Sequence, residues 1–422
     1  VVFGATINAA ERLVVKGYSV TVTDASGAEV YKKTEEIAEA DPFFRRMMIA
    51  IGFAGLKTPV TIPEVLTWDG TDSDGNPVAE GEYVLTVTAW DDKEGRATSP
   101  PYTIVVDNTP PQVELTVPYA VFSPNGDGNQ DILIIEHLAD IESQWTASIN
   151  DSSGSEVLTF EWTNSEPENI TWDGTNSAGE SVPDGVYSYS ITGTDFAGNS
   201  YEATYSPITV DTRDTPVTIS RDLAYFSPNG DGSQDSLTFT ANIPVTEGIR
   251  SWELTVTDKS GRPVRTFTGD GSAEPSLVFD GQNDSGQALP EGVYLAELSV
   301  LYTNGNNPTA KTEEFEVDLT PPSVALRTNP RIISPNGDGR QDKLSIYQET
   351  SVEEVWNGKI TDGEGNLVRG ITWRGAADPA FDWDGLNQSG EVAPNGVYTY
   401  TLSCRDRAGN YAEAKSEPIR VD

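Results

Sequence analysis

The residues best suited to binding chemistry in this chain are oxygen donors that recur in a nine-residue stretch. SPNGDGNQD occupies residues 123–131, SPNGDGSQD residues 227–235 and SPNGDGRQD residues 334–342, and only the seventh residue differs. Calcium loops place oxygen ligands on alternate residues, with a glycine where the chain bends sharply. The stretch has this spacing, so it predicts Ca²⁺ as a cofactor, with a weak dissociation constant on the order of 10⁻⁴ to 10⁻³ M.

The predicted ligands are the first, third, fifth, seventh and ninth residues of each copy, the seventh through its backbone carbonyl. No acid stands at the twelfth position, so we expect a further oxygen from the acid at the preceding junction. The alternative is an Asx-turn loop, in which Asn and Asp side chains cap backbone N–H groups without a metal. The predicted metal-site residues are Ser123, Asn125, Asp127, Asn129, Asp131, Ser227, Asn229, Asp231, Ser233, Asp235, Ser334, Asn336, Asp338, Arg340, Asp342 and the junction acids Asp107, Asp211 and Asp318.

Enzymatic chemistry has little support in the sequence. His137 is the single histidine and Cys404 the single cysteine, so neither a catalytic triad nor a zinc site is indicated. No glycine-rich phosphate loop occurs. The 66 acidic residues are too numerous for their presence alone to mark a catalytic pair. The sequence therefore predicts a protein that is not an enzyme.

The composition limits the partners. The 422 residues carry a formal net charge of −39, which repels nucleic acid and anionic membranes and attracts divalent cations. No run approaches the roughly 20 apolar residues of a membrane span. Because Val1 is not an initiator methionine, we expect a trimmed or mature fragment.

Two independent markers show that one unit is repeated four times. TWDG begins at Thr67 and Thr171, VFDG at Val278 and DWDG at Asp382. Tyrosines that follow these motifs recur at the same three intervals, as Tyr83, Tyr187, Tyr294 and Tyr398. The predicted repeats are repeat 1 (1–107, with a truncated start), repeat 2 (108–211), repeat 3 (212–318) and repeat 4 (319–422).

Each repeat has the pattern of β-structure. Tyr398, Tyr400, Leu402 and Cys404 alternate with polar residues, which places Cys404 on an inward face as an inert thiol. Short strands separated by regular turns over about 100 residues are typical of an antiparallel sandwich. The predicted fold is all-β, with four tandem Ig- or fibronectin-III-like sandwiches joined by short proline-containing links, which favour a stiff array.

Repeat 1 also carries an insert at about residues 34–63. Within it, DPFFRRMMIAIG (41–52) predicts a short helix with an aspartate cap and a glycine stop. Its apolar face either packs on its own sandwich or docks a partner, as the two methionines suggest. The partner-binding candidates are Phe43, Phe44, Met47, Met48 and Ile51.

The tryptophans divide into two groups. Trp68, Trp172 and Trp383 of the WDG motif are predicted core residues, with Phe279 replacing the indole in repeat 3. The second group is predicted to be exposed and to differ in position between repeats. Its members either have individual packing roles or stack on sugar rings: Trp145, Trp162, Trp252, Trp356 and Trp373.

Two stretches resemble known bacterial families. FSPNGDG (122–128) resembles the signature that opens gliding-motility-associated C-terminal domains of secreted proteins. WDGTNSAGESVPDGVYSYSITGTDFAGN (172–199) is similar to the Ig-like domain of the flagellar hook-capping protein, and this pattern recurs four times. The resemblance implies Ig- or fibronectin-like sandwiches in exported proteins that serve display or assembly rather than catalysis.

These observations predict a non-catalytic structural or adhesion-type protein, a calcium-stiffened spacer or display rod outside the cell, at the bacterial surface or in the periplasm. Expected partners are other envelope or extracellular proteins, or glycans, but not nucleic acid and not a membrane interior. One alternative is a carbohydrate-binding accessory array of a larger secreted enzyme. Another is a fragment of an enzyme whose catalytic domain lies outside this sequence.

Overall fold

The computed structural model describes residues 2–4, 14–36, 63, 65–271 and 276–422. These residues form strands, turns and loops, without a helix, so none of them belongs to a helix able to span a membrane. Contacts divide the chain into two compact units, Val1–Ala120 with Ile134–Ile208, and Val121–Leu133 with Thr209–Asp422. The repeat boundaries predicted above stay a prediction.

The first unit contains the described strands of repeat 1. β1 pairs with β4, and a larger sheet has the order β3-β2-β5-β6 with β7 paired to β5. The strands are β1 (Val2–Gly4), β2 (Val15–Asp24), β3 (Glu29–Glu36), β4 (Val65–Thr67), β5 (Gly81–Asp91), β6 (Arg96–Thr98) and β7 (Tyr102–Val106).

Most strands of repeat 2 also belong to the first unit. They form sheets of order β13-β10-β8 and β12-β11-β14-β15-β9. The strands are β8 (Val113–Thr116), β9 (Val121–Phe122), β10 (Leu133–Ala139), β11 (Glu142–Asp151), β12 (Glu156–Ser165), β13 (Ile170–Trp172), β14 (Gly185–Thr194) and β15 (Ser200–Val210). In the second unit, β9 pairs with the end of β15 through Thr209 and Val210.

In the second unit, repeat 3 has the sheets β16-β18-β21 and β17-β24-β22-β19-β20, with β23 paired to β22. Its strands are β16 (Thr218–Arg221), β17 (Tyr225–Phe226), β18 (Leu237–Asn242), β19 (Ile249–Asp258), β20 (Pro263–Asp270), β21 (Ser276–Phe279), β22 (Gly292–Tyr302), β23 (Thr309–Lys311) and β24 (Phe315–Val317).

Repeat 4 has the same arrangement, β25-β27-β30 and β26-β33-β31-β28-β29, with β32 paired to β31. Its strands are β25 (Val324–Asn329), β26 (Ile332–Ile333), β27 (Leu344–Thr350), β28 (Glu353–Thr361), β29 (Leu367–Gly375), β30 (Ala380–Trp383), β31 (Gly396–Arg405), β32 (Tyr411–Lys415) and β33 (Ile419–Val421).

Strand alternation places one face of each sheet in a core. In β31 the buried residues are Tyr398, Tyr400, Leu402 and Cys404, as predicted. They belong to one cluster with Trp383 and with residues of β27, so the two sheets of repeat 4 face each other across it. A second cluster joins the two sheets of repeat 3 in the same way. The predicted all-β fold of tandem sandwiches is confirmed.

The repeated aromatic residues are structural. The WDG tryptophans and Phe279 are at most 2% exposed. Each indole N–H donates to the backbone carbonyl three residues later, at 2.8–2.9 Å. The tyrosine hydroxyls of Tyr83, Tyr187 and Tyr294 donate to the carbonyl four residues earlier at 2.7–2.8 Å, the bond that fixes a tyrosine corner in such sandwiches.

The predicted exposure of the second tryptophan group is wrong. Trp145, Trp252 and Trp356 are each the fourth residue of an equivalent strand, β11, β19 and β28, and are at most 7% exposed. Trp373 is buried opposite Trp356, and the half-buried Trp162 stacks on Phe160. These positions correspond between repeats, and the side chains serve packing.

The predicted helix at 41–52, with Phe43, Phe44, Met47, Met48 and Ile51, lies outside the described residues. The start of the predicted insert needs correction, because residues 34–36 continue β3, which pairs with β2 up to Glu36.

One feature of the sheets sets the position of the SPNGDG stretches. A two-residue strand precedes each stretch and pairs parallel with the last strand of the same repeat, as β17 with β24 and β26 with β33. Because parallel strands end at the same edge, each stretch begins where the last strand of its repeat ends. The structure thereby brings each stretch to a junction.

Candidate functional site at the joints between repeats

Two kinds of segment meet at the junctions, and they keep the following names. The first loop is 123–131, the second loop 227–235 and the third loop 334–342. The turns that connect two late strands of a repeat are the repeat-2 turn (Asp195–Asn199), the repeat-3 turn (Tyr302–Asn306) and the repeat-4 turn (Asp406–Asn410).

Each loop is closed by its own Asp and Asn side chains. In the second loop, Asp235 accepts hydrogen bonds from the backbone N–H groups of Gly230 and Gly232, both at 2.7 Å. Asn229 accepts from the N–H of Asp231 at 2.9 Å. The other two loops make the same bonds. This is the arrangement of an Asx-turn loop.

The loop geometry bears on the predicted metal ligands. Both carboxylate oxygens of Asp131, Asp235 and Asp342 already accept backbone N–H groups. Within the described part of the chain, no group of three or more His, Cys, Asp or Glu side chains is arranged to hold a metal ion. The donors therefore fit the Asx-turn alternative better, and calcium binding stays a prediction.

We call the place where a loop of one repeat meets a turn of the next a joint. The acids at the repeat junctions contact the residues of a joint mainly through their backbone groups. The N–H groups of Asp211, Asp318 and Asp422 donate at 3.0–3.2 Å to the residue just before a loop, namely Phe122, Phe226 and Ile333. The acid beside each loop entrance is thus the one that ends the same repeat. The prediction had assigned to each loop the acid that precedes the repeat.

The third joint, between the second loop and the repeat-4 turn, is centred on Asn410, which is fully buried. Its side-chain oxygen accepts from the Ser227 hydroxyl at 2.5 Å and from Nδ2 of Asn229 at 3.1 Å. Its own Nδ2 donates to the Asp318 carbonyl and to the Asp406 carboxylate, both at 2.9 Å. One amide therefore links the loop, the junction and the turn.

A glutamine at the eighth position of the loop makes a second link. Nε2 of Gln234 donates to the Tyr225 carbonyl at 3.0 Å and to the Arg407 carbonyl in the turn at 3.1 Å. Gln130 does the same with the Val121 carbonyl at 2.8 Å and the Thr303 carbonyl at 3.3 Å. The glutamine thus ties its own strand to the turn of the following repeat.

Glycines in the turns allow close backbone approach. Gly409 has φ +99°, and a Cβ at this position would lie 2.9 Å from the Ser233 carbonyl oxygen. Gly305, with φ +96°, would place a Cβ 2.9 Å from the Asn129 carbonyl oxygen. These distances are shorter than van der Waals contact, so each turn requires glycine both for its conformation and for its fit to the loop.

The second joint lies between the first loop and the repeat-3 turn. Here two asparagines make the contacts with the loop and with the carbonyl of the junction acid that Asn410 alone makes in the third joint. Oδ1 of Asn306 accepts from Nδ2 of Asn125 at 3.0 Å, and its own Nδ2 donates to the Arg213 carbonyl at 3.0 Å. Nδ2 of Asn304 donates to the Asp211 carbonyl at 3.0 Å. Both turn asparagines are buried, whereas the buried hydroxyl of Ser123 has no hydrogen-bond partner among the described residues.

The first joint is formed by Asp107, at the end of repeat 1, and the repeat-2 turn, both in the first unit. Nδ2 of Asn199 donates to the Asp107 carbonyl at 3.0 Å and to the Asp195 carboxylate at 2.8 Å. No described atom lies within 4 Å of a Cβ built on Gly198, which has φ +95°. Burial and nearby carboxylates, Asp195 first among them, raise the pKa of Glu142.

The electrostatics differ between the second and third joints. The hydrogen bond from Arg213, at 2.8 Å, lowers the pKa of the Asp211 carboxyl group below its usual value. Burial raises the pKa of Asp318, and the carboxylates of Asp406 and Glu291 add to the increase. The junction acid is thus stabilised in its charged form in one joint and destabilised in the other.

The two reactive side chains singled out from the sequence are structural. Cys404 is 1% exposed, and burial raises the pKa of its thiol to about 11, as expected for an inert residue. Nδ1 of His137 donates to the Glu168 carbonyl at 2.9 Å, and Nε2 accepts from the Tyr189 hydroxyl at 2.7 Å. Burial lowers the pKa of His137, so the ring is neutral near pH 7.

Sequence reasoning missed the joint residues outside the metal prediction. Gln130, Gln234 and Gln341 occupy the eighth position of all three copies, a repetition that the calcium pattern did not use. The motifs DFAGN (195–199) and DRAGN (406–410) indicate turns. Sequence spacing does not show that Asn199 contacts the Asp107 carbonyl or that Asn410 contacts the second loop, because the contacting residues are far apart in sequence.

Comparison with known proteins supports the Ig-like assignment. The family model of the FlgD Ig-like domain matches residues 123–196 and 331–407, which confirms the resemblance for two of the repeats. Both matched segments begin at or just before an SPNGDG loop and end inside a turn. The gliding-motility resemblance stays a prediction. A search of curated proteins gives no match.

The search of solved structures matches tandem-repeat proteins. A tetra-tandem repeat from the extending region of a large adhesion protein is 19% identical, with a TM-score of 0.31, over 96% of this chain and 92% of that chain. A solved chain from a study of a 1.5-MDa bacterial ice-binding adhesin is 14% identical, with a TM-score of 0.31, over 75% of this chain and 99% of that solved chain. The FN1–FN3 domains of chicken CNTN1 are 13% identical, with a TM-score of 0.27, over 74% and 97%.

Proposed function

We propose that the chain is a non-catalytic structural and adhesion-type repeat protein, an exported bacterial spacer that holds a partner-binding region away from the cell surface. The observation that carries this proposal is the joint, in which a loop of one repeat binds a turn of the next. The loop sequence occurs three times with only its seventh residue changed, and two copies bind a turn through corresponding residues. Buried hydrogen bonds between repeats restrict bending, which is the property a spacer needs.

The tryptophans that suggested glycan binding are not accessible to a sugar. Trp145, Trp252, Trp356 and Trp373 are buried and cannot stack on a sugar ring. Trp162 is half-buried, with one ring face against Phe160. The spacer is therefore the better-supported function.

Calcium stiffening belongs to the proposal as a separate element. The loops contain carboxylate, amide and hydroxyl oxygens, the ligand types that Ca²⁺ prefers. An ion would have to compete with backbone N–H groups for both oxygens of Asp235. A calorimetric titration of chelator-treated protein tests this element: heat lost on Asp127, Asp231 and Asp338→Ala supports it, and absence of heat in the parent removes it.

The spacer proposal is tested by measuring how narrowly a joint fixes two repeats. Spin labels are placed on Val278→Cys in repeat 3 and Val392→Cys in repeat 4, both more than half exposed. Native Cys404 does not interfere, because it is buried. Pulsed electron resonance should give a narrow distance distribution in the parent and a broad one in Asn410→Ala.

Asn366→Ala is the matched control. Asn366 closes an Asx turn of the same repeat, and its Nδ2 donates to Asp362 at 2.9 Å, as that of Asn410 does to Asp406. It is exposed and makes no joint contact. The control should keep the narrow distribution. A distribution that is equally broad in the parent and in Asn410→Ala would overturn the proposed spacer.

A further inference from the structure

The third loop has the joint-forming side chains but meets no turn within the described residues. Ser334, Asn336 and Gln341 stand at the positions of the serine, asparagine and glutamine that bind turns in the other loops. The loop is already folded for binding, because Asp342 accepts from Gly337 and Gly339 as in the other copies. The φ of Gln341, +54°, is close to the +51° of Gln234.

The exposure of the loop serine and of the loop glutamine differs from that in the two bound loops. Gln341 is exposed, whereas Gln130 and Gln234 are half-buried. Ser334 is also more exposed than Ser227, which is fully buried. Nδ2 of Asn336 has only long contacts within its own loop, to the Ser334 hydroxyl and the Asp338 carboxylate at 3.4 Å each.

The junction beside the third loop also has the arrangement of a joint. The N–H of Asp422 donates to the Ile333 carbonyl at 3.0 Å, as that of Asp318 does to Phe226. The Asp318 carbonyl is the group that receives Asn410 in the third joint. The Asp422 carbonyl stands at the corresponding place.

We propose that the third loop is a docking site for an Asp-x-Ala-Gly-Asn turn of a further repeat of this kind. The turn asparagine accepts from Ser334 and Asn336 and donates to the Asp422 carbonyl. Gln341 donates to the carbonyl of the second turn residue, and the turn glycine packs on the backbone of Arg340. This inference rests on the proposed function, since it extends the same joint to a new partner.

One position distinguishes between possible turns. In the third joint the guanidinium of Arg407, the second turn residue, lies 5.8 Å from the ring centre of Tyr225. The corresponding residue beside the third loop is Ile332, which is 46% exposed and offers no π face. An apolar second residue, such as Phe196 of the repeat-2 turn, fits this surface better. The preferred sequence is therefore Asp-Phe-Ala-Gly-Asn.

The test is hydrogen exchange of the whole chain extended by one repeat. A copy of residues 108–211 is joined after Asp422, which recreates the sequence VDNTPP of the first junction. The expected result is that exchange in 334–342 slows at least about tenfold relative to the parent. Asn199→Ala in the appended copy should abolish this slowing while the core of the appended repeat stays protected.

The controls separate this inference from the proposed function. If the appended repeat fails to fold, a copy of residues 319–422 replaces it, and a smaller slowing is expected because its turn carries arginine. Unchanged exchange in 334–342 beside a folded appended repeat overturns the docking site. If the second loop (227–235) also exchanges equally in the parent and in Asn410→Ala, the joint itself, and with it the proposed function, is wrong.

Discussion

The second and third joints pair loops that differ only at their seventh residue with turns of different sequence. In the third joint Asn410 accepts from the loop and donates to the junction carbonyl. In the second joint Asn306 accepts from the loop and donates to the Arg213 carbonyl, and Asn304 donates to the Asp211 carbonyl. Common to both joints are a glycine of positive φ pressed on the loop and a loop glutamine bonded to a turn carbonyl. The backbone fit and the asparagine at the fifth turn position, which accepts from the loop, are therefore constant, whereas the residue that donates to the carbonyl of the junction acid changes.

The two joints also differ in the hydrogen bonding of the buried serine that begins each loop. The Ser227 hydroxyl donates to Asn410, whereas the equivalent hydroxyl of Ser123 is buried without a partner among the described residues. An unpaired buried polar group costs about 1 to 3 kcal/mol. We therefore expect the third joint to be the more stable of the two, and the following changes test that ranking.

The largest effects are expected from the turn glycines. Gly305→Ala and Gly409→Ala add strain at positive φ, about 1 to 3 kcal/mol, and a clash with loop backbone of similar size. Opening of the first and second loops, measured by native-state hydrogen exchange, should become easier. In Gly198→Ala the new Cβ has the same backbone strain but no described atom within 4 Å. This variant should therefore lose only the free energy that the strain costs. Equal losses at all three positions would contradict the role of close approach.

The next effect is expected from the asparagines. Asn410→Ala removes three hydrogen bonds that cross the third joint and should cost about 2 to 3 kcal/mol of loop-opening free energy. Asn304→Ala should cost least, because it loses one bond to the junction, at the Asp211 carbonyl. Asn306→Ala should lie between the two, because it loses the bond from Asn125 and its own bond to the Arg213 carbonyl. Hydrogen exchange of the two loops measures all three. A loss of loop-opening free energy in Asn304→Ala as large as that in Asn410→Ala would contradict this ranking.

A smaller effect is expected from the loop serines. Ser227→Ala removes a donor to Asn410 and should cost about 1 kcal/mol. Ser123→Ala removes a hydroxyl that has no described partner and should leave the stability of the first loop unchanged or slightly increased. The pair shares one chemical change, so each variant is the control for the other. Similar losses in both would mean that Ser123 is hydrogen-bonded.

The smallest effect concerns the interior of the sandwiches rather than the joints. Where repeat 2 pairs His137 with Tyr189, repeat 4 pairs Gln348 with Tyr400 at 2.8 Å. Burial lowers the pKa of His137, so the unfolded state takes up a proton first as the pH falls below about 6.5. Stability is therefore full above that pH and is lost as the pH falls through the folded-state pKa.

His137→Gln should remove this pH dependence, since glutamine does not titrate. Denaturation of repeat 2 at several pH values measures it. The opening free energies of the joints should be the same in the variant as in the parent. A pH profile that is the same in the parent and the variant would show that His137 is not the titrating group.

Much of the fold was predictable because it depends on local pattern. Alternation identified the inward residues of β31, and the WDG and tyrosine markers identified the repeat. The Asx-turn alternative for the loops also depended only on neighbouring residues, and the structure places their N–H groups accordingly. Turn and strand chemistry acts over a few residues, so sequence spacing is sufficient to detect it.

The joints were not predictable from pattern alone. Asn229 and Asn410 meet although they are separated by 181 positions, and only the folded sheets bring them together. The tryptophans were misjudged for a different reason. Trp145, Trp252 and Trp356 occupy equivalent strand positions, which counting back from the turns after β11, β19 and β28 would have shown.

The central claim, that a loop of one repeat binds a turn of the next, is tested most directly by a double-mutant cycle. Ser227→Ala, Asn410→Ala and the double variant are compared by the opening free energy of residues 227–235 from hydrogen exchange. We expect a coupling energy of about 1 kcal/mol, within the range found for residues in contact. The control cycle of Ser227→Ala with Asn366→Ala should show none. Additive losses in the first cycle would contradict direct contact between loop and turn.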